Sequence, residues 1–206
     1  MPAKNRDLHG FAPDHSRVAL LLIDVINDLE FPRGERLLRH ALPAARKIAA
    51  LKERAKKARI PTIYVNDNFC RWQSDFTKQV KHCLEDDVRG APVARLLAPE
   101  EDDYFVLKPK HSGFFSTSLD ILLHYLGAET LILCGFAGNL CVLYTANDAY
   151  MRDFHLVVPR DCSASEKREA NTYALEQMSR FLKADTRRSK ELDLKKLQRA
   201  PGVRKA

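Results

Sequence analysis

Cys141 lies in Leu131–Tyr144 (LILCGFAGNLCVLY), where a short apolar run breaks at Gly135, small and polar residues follow, and a helix-like stretch opens at the cysteine. A thiol at a strand-to-helix turn meets the positive end of the helix macrodipole, which favours thiolate over thiol. The amides of that first turn have no intrahelical partner, so they can donate to a developing oxyanion. Nucleophile and oxyanion donors can therefore share one turn. The competing reading is a small apolar residue that packs a helix on a sheet, as most unpaired cysteines do. Two further segments carry charges at comparable places. Val18–Asp28 (VALLLIDVIND) runs six residues without a polar one and then reaches Asp24, and Tyr104–Leu107 (YFVL) ends at Lys108. Asp24 could instead cap a helix or turn, as could Asn27 or Asp28. Lys108 could be a solvated strand-end residue, with Lys110 as its competitor.

These side chains can act together only if the elements carrying them end side by side. A short, wholly apolar run is typical of a strand buried on both faces of a parallel sheet, and open α/β sheets place their ligand crevice at the carboxyl ends of such strands. Strand and helix signals alternate along the chain. Glu35–Arg59 reads as a helix despite Pro43, Ile60–Val65 as a strand, and Thr117–Leu126 as a helix capped by Ser116 or Thr117 and closed by Gly127. Leu131–Cys134 is a strand, Cys141–Met151 a helix, Leu156–Val158 a strand, Ser165–Phe181 a helix and Leu182–Ala184 a short last strand. This alternation predicts a three-layer α/β/α fold with a mostly parallel open sheet. The domain spans residues 18–184, between an N-terminal extension (1–17) and a basic C-terminal tail (185–206), with no internal repeat.

In this order, LLLIDVIND, VLKPKHSGFF and CGFAGNLCVLYTANDAY resemble the isochorismatase-like cysteine hydrolase superfamily, which includes nicotinamidases, N-carbamoylsarcosine and ureidoacrylate amidohydrolases and isochorismatases. VVPRDCSAS at Val157–Ser165 is similar to the family's strand that ends in an Asp before its last helix, and the likeness runs from about Val18 to Phe181. It implies a Cys141–Asp24–Lys108 triad. The thiolate attacks an amide-like carbonyl to form a thioester, Asp24 moves the proton, and Lys108 favours the thiolate and orients the carboxylate. Lys108 is preferred to Lys110 because the family's Lys stands four residues before a Ser-small-Phe triplet, here Ser112-Gly113-Phe114. The resemblance also implies oxyanion donors in the backbone amides of Ala137 and Cys141, a cis peptide at Phe136–Ala137, and a homo-oligomer, dimer or tetramer.

Asn66–Arg89, which in the family shapes the substrate pocket, is read as the source of Phe69, Arg71 and Trp72, with Phe114 and Phe136 completing the substrate-binding set. Arg71 could fork onto a substrate carboxylate, or be a paired or solvated surface residue, and the aromatics could equally be plain core. Family nicotinamidases hold a metal through an Asp-x-His motif and a further His. The matching stretch here is Asn66-Asp67-Asn68, and the next His is His82. Asp67 alone cannot build such a site, so no metal or other cofactor is expected. In the turn before the cysteine, Gly138 stands where many relatives carry Thr. It removes a hydroxyl and lets the backbone approach a ligand, or relaxes the turn.

The 206 residues, 45% apolar, suit one substantial core, and no apolar stretch is long enough to span a membrane. The N-terminus lacks the apolar middle of a signal peptide. Five cysteines without disulfide or metal spacing fit a reducing, cytoplasmic setting. The formal net charge is +7, yet Lys183–Ala206 holds nine basic and three acidic residues, so about +1 remains for the rest. With no aromatic residue in it to stack on bases, the expected partner is a small molecule rather than nucleic acid. The tail reads as a solvated, frayed terminus; alternatively, Leu192, Leu194 and Leu197 dock a short helix on a neighbouring subunit. The reading is a hydrolase of C–N bonds in small amide, ureido or carbamoyl compounds. Its alternatives are an isochorismatase-type vinyl-ether hydrolase, with Asp24 as acid and Cys141 incidental, and a non-catalytic binding protein on the same fold.

Overall fold

Val18–Ile23 (β1) has no polar side chain and every residue is buried. Its side chains alternate between two separate cores: Val18, Leu20 and Leu22 enter one, and Ala19, Leu21 and Ile23 the other. A strand with two apolar faces needs a helical layer on each side. The computed structural model, which describes residues 15–69 and 75–199, has those layers. The sheet comprises β1, β2 (Thr62–Asp67), β3 (Tyr104–Lys108), β4 (Thr130–Phe136) and β5 (His155–Val157) in the order β3-β2-β1-β4-β5. A two-residue strand, β6 (Ser163–Ala164), also pairs with β4, and every pairing is parallel. Helices α1 (Gly34–Lys57), α2 (Phe76–Glu85) and α3 (Ala91–Leu96) cover the first face, and α4 (Leu119–Leu126), α5 (Leu143–Tyr150) and α6 (Arg168–Phe181) the second. The chain builds β1, β2 and β3 outward in one direction and returns to place β4 on the other side of β1. The order therefore switches between β1 and β4, where a crevice opens beyond the strand ends.

The expected elements are present with their ends shifted by up to three residues, α4 following Ser118 rather than Ser116 or Thr117; α2, α3 and β6 are additions, and three further differences stand out. β2 starts at Thr62 and runs two residues further than its apolar run, to Asp67, because ladder bonds to β3 continue there and pair Asp67 with Lys108. Leu182–Ala184 does not form a last strand; only an isolated bridge joins Val157 and Asp185. The third concerns the tail, which over its described length is neither frayed nor free. Leu192 and Leu194 are buried in the first core, the second of them opening α7 (Leu194–Arg199). The Arg54 guanidinium donates to the carbonyls of Ser189 (2.8 Å) and Leu192 (2.5 Å), and Asp161 accepts from the Ser189 amide (2.7 Å) and hydroxyl (3.0 Å). The leucines thus dock on this chain's own α1. Asp161, the acid at the end of the family-like strand, anchors that segment.

Candidate active site

Each strand that ends at the crevice delivers one polar residue to it. Asp24 follows β1 directly and has φ 51°, a left-handed conformation that short polar side chains tolerate better than most. Its amide still donates to the Val65 carbonyl (3.0 Å), so the carboxylate is held at the strand end. Lys108 closes β3 and is fully buried, with a side chain long enough to cross the end of β2. Cys141 sits in a π-helical turn, Gly138–Val142, that joins β4 to α5 after a cis peptide at Phe136–Ala137. Gly135 makes that connection feasible: its φ is 127°, and a Cβ there would lie 2.0 Å from the Ile23 carbonyl oxygen.

The three side chains meet. Lys108 Nζ lies 2.9 Å from Asp24 Oδ2 and 3.5 Å from Cys141 Sγ, and it also donates to the Lys110 carbonyl (3.1 Å). Asp24 Oδ1 accepts the Asp67 amide at 2.6 Å, and its carboxylate lies close enough to Cys141 to bear on the thiol. Behind the cysteine, Thr145 donates to the Cys141 carbonyl (2.7 Å) and accepts the Gly113 amide (3.0 Å), tying the turn to the Ser112-Gly113-Phe114 segment.

Burial dominates the electrostatics. It raises the Asp24 pKa above the ordinary carboxylate range, against the opposing pull of Lys108. Burial is also the largest single influence on the Lys108 ammonium and weakens it, but Asp24, Cys141 and Asp67 together outweigh it and the net shift is upward. The Cys141 pKa is pushed up by burial and by the Asp24 charge, more than Lys108 brings it down. The direction is opposite to the one a helix end alone favours, because an anion at Cys141 would be buried beside a carboxylate. Cys141 therefore rests as a thiol, and Asp24, which the sequence reading assigns to move its proton, stands beside it paired with Lys108 at 2.9 Å.

The isochorismatase domain family matches residues 18–188. The chain belongs to the isochorismatase family. It is a hydrolase of that family, similar over 167 residues to the uncharacterized isochorismatase family protein YaaI of Bacillus subtilis (strain 168), at 42% identity and covering 81% of this chain and 91% of YaaI. A shorter match, 33% identical over 99 residues, joins it to the maleamate amidohydrolase of Pseudomonas putida, covering 45% of this chain and 46% of that enzyme. Among solved structures, the N-carbamoylsarcosine amidase of Thermoplasma acidophilum superposes with a TM-score of 0.64 at 27% identity, covering 86% of this chain and 99% of the amidase.

The remaining expected residues divide in three. Arg71 and Trp72 lie outside the described residues. Phe69, partly exposed with φ 50°, lines a cavity of about 380 Å3 together with Phe31, Gln79 and His82. Gln79 donates to the Asp67 carbonyl (2.6 Å), so this cavity adjoins the crevice. Phe136 is buried in the first core. Phe114 turns away from the crevice. Its ring meets Phe154 (6.0 Å between centroids) and lies under the Arg152 guanidinium (4.6 Å), beyond the end of α5 opposite Cys141. It is therefore a core residue, held there by an aromatic and a cation partner.

One member of this isochorismatase-family crevice went unassigned. Asp67 Oδ2 lies 3.3 Å from Lys108 Nζ, so the ammonium serves two carboxylates. The signal was present, since Asp67 stands at a strand end as Asp24 and Lys108 do, but Asn66 already ends the apolar run one residue before it. No group of three or more His, Cys, Asp or Glu side chains that could hold a metal ion occurs among the described residues.

Proposed function

We propose that this protein hydrolyses a C–N bond in a small amide, ureido or carbamoyl compound through Cys141, Asp24 and Lys108. The observation that carries the reading is a single buried ammonium within 2.9 Å of a carboxylate and 3.5 Å of a thiol. It holds the nucleophile and its proton acceptor on one cation. As Sγ attacks the carbonyl carbon, the thiol proton moves to Asp24, and the carbonyl π pair becomes the oxyanion of a tetrahedral intermediate. Backbone amides of Ala137 and Cys141 take that charge; the Ala137 carbonyl accepts from the amides of Leu140 and Val142, the residues on either side of Cys141. Collapse breaks the C–N bond, and the amine leaves with the proton from Asp24. A water then gives its proton to Asp24 and its oxygen to the thioester carbon, which releases the acid and returns the proton to sulfur. Lys108 stays charged throughout and holds Asp24 in line.

The likeness to maleamate and N-carbamoylsarcosine amidases supports the bond class. The same reading has the enzyme work in the cytoplasm as a homo-oligomer. Support comes from four free, buried cysteines among the described residues and from the exposed apolar side chains of Ile121 and Met151, which flank the Asp120–Arg152 pair. Ammonia release from a panel of small amides, ureido acids and carbamoyl amino acids tests the chemistry, with and without chelator. Turnover that survives chelator and disappears in Cys141→Ala is expected. Turnover that survives the substitution would refute the nucleophile, and no turnover on any member of the panel would turn attention to vinyl-ether chemistry.

A further inference from the structure

At the end of the sheet formed by β6, between α1 on one face and α6 on the other, lies a second cavity of about 1040 Å3. It contains none of Asp24, Asp67, Lys108 or Cys141. Six cationic side chains line it: Arg39 and Lys47 from α1, Arg160, Arg168 and Arg180 from the β5–β6 loop and α6, and Arg188. All six are exposed, and none makes an ion pair among the described residues. Their neighbours behave differently: Arg33 pairs with Glu166 (3.3 Å) and Arg187 with Asp185 (2.8 Å). Only two acids line the cavity, Glu176 and Asp161, and Asp161 is committed to Ser189. Outside the C-terminal segment this chain is nearly neutral, so such a group reflects segregation of charge rather than a general excess. Like charges gathered around a concavity focus a positive potential into it, which a bound anion relieves.

Ser163, Ala164, Ser165 and Asn171 line this groove, and two of them touch the back of the Cys141 turn. Ser165 Oγ accepts the Asn139 amide (3.1 Å) and donates to Asn171 Oδ1 (3.0 Å). Asn171 Oδ1 occupies the space that a side chain on Gly138 would fill, 2.0 Å from an ideal Cβ. The Asn171 amide nitrogen reaches Ser163 only at 3.4 Å, so its protons are weakly held and open to a better acceptor. Gly138 in place of a larger residue thus admits a side chain of α6 to the nucleophile turn.

We propose that this groove binds a small, multiply charged anion, a polyphosphate or a polycarboxylate, and that the anion acts on the Cys141 turn through Asn171. A second copy of the same face would bring like charges together.

The test uses the full chain and does not require the substrate. Isothermal titration with sodium tripolyphosphate and, separately, with citrate should give saturable binding of one or both, which separates the two anion types. Arg160→Glu with Arg168→Glu, both exposed positions, should weaken it roughly tenfold or more, whereas Lys195→Glu with Lys196→Glu on α7 should leave it unchanged. Alkylation of Cys141 by iodoacetamide, followed on its peptide by mass spectrometry, should change about fivefold on adding the anion in the wild type and not in Asn171→Ala. Absence of binding at millimolar anion, or binding lost only in the α7 variant, would overturn the site. An unchanged alkylation rate with anion bound would overturn the coupling. Dissociation of an oligomer by the Arg160/Arg168 variant without loss of anion binding would make the groove a subunit contact instead.

Discussion

The two ends of β3 each hold a buried lysine among carboxylates, and only one of them has the means to do chemistry. At the amino end, Lys52 reaches from α1 to Asp103 (2.6 Å), the Tyr64 hydroxyl (3.1 Å) and the Ala98 carbonyl (3.3 Å), with Glu100 at 3.4 Å. At the carboxyl end, Lys108 meets Asp24, Asp67, the Lys110 carbonyl and the Cys141 sulfur. Burial raises the carboxylate pKa at both ends, for Asp103 as for Asp24. The perturbed carboxylate therefore does not mark the site. What differs is the fourth neighbour: every hydrogen-bond or ion-pair partner of Lys52 is an oxygen, whereas Lys108 stands 3.5 Å from a thiol. A buried ion pair is weak evidence even for stability. It becomes evidence for chemistry when a nucleophile and an open crevice complete it.

Substitutions can separate the two ends. Cys141→Ala should lower kcat by about four orders of magnitude or more, read by product release, while the urea midpoint stays close to wild type, because it removes a single sulfur from a turn held by Thr145. Lys108→Met should remove most activity as well. Lys52→Met should do the opposite: about 3–5 kcal/mol of stability lost in urea at neutral pH, with the kcat of the folded fraction unchanged. The loss arises because Asp103 stays buried without its cation, and it should shrink as pH falls and Asp103 takes up a proton. Equal loss of activity in the two lysine variants would break the distinction between the ends. Tyr64→Phe should cost less, about 1–2 kcal/mol, since it leaves the Leu97 carbonyl without its 2.8 Å donor and Lys52 without one acceptor.

The elements and the three central side chains were legible because their signals are local. A run of apolar residues that stops at a charge, or at Gly135, specifies both a strand and what stands at its end. The unread parts depend on distant partners. Asp67 belongs to the site through its register with Lys108, forty-one positions away, and nothing within the segment announces that pairing. The direction of Phe114 is decided by Arg152 and Phe154, and the docking of Leu192 and Leu194 by Arg54 and Asp161. The protonation of Cys141 was misjudged for a related reason. A helix dipole can be inferred from a turn in the sequence, but the desolvation that outweighs it is a property of the assembled crevice.

Asp67 provides the finest test of the comparison, since it is the part of the carboxyl end with no role yet in bond making. Its carboxylate draws on the same ammonium as Asp24 and adds a second negative charge nearby, so both effects keep Asp24 more basic than Lys108 alone would. Asp67→Asn retains the backbone amide that donates to Asp24 and removes only the charge. Asp24 should then bind its proton less tightly. For wild type, kcat/KM should rise with pH as Asp24 loses its proton, at a pH above the ordinary carboxylate range. It should then stay level into the alkaline region, because the Lys108 and Cys141 pKa values are both raised. In Asp67→Asn the rising limb should move to lower pH, an effect moderated by the partial exposure of Asp67. The weaker base should lower the plateau about threefold through kcat rather than KM. Asp67→Glu should restore part of both. A limb that stays in place while KM rises would instead make Asp67 a substrate contact, and Lys108 would then answer to Asp24 alone.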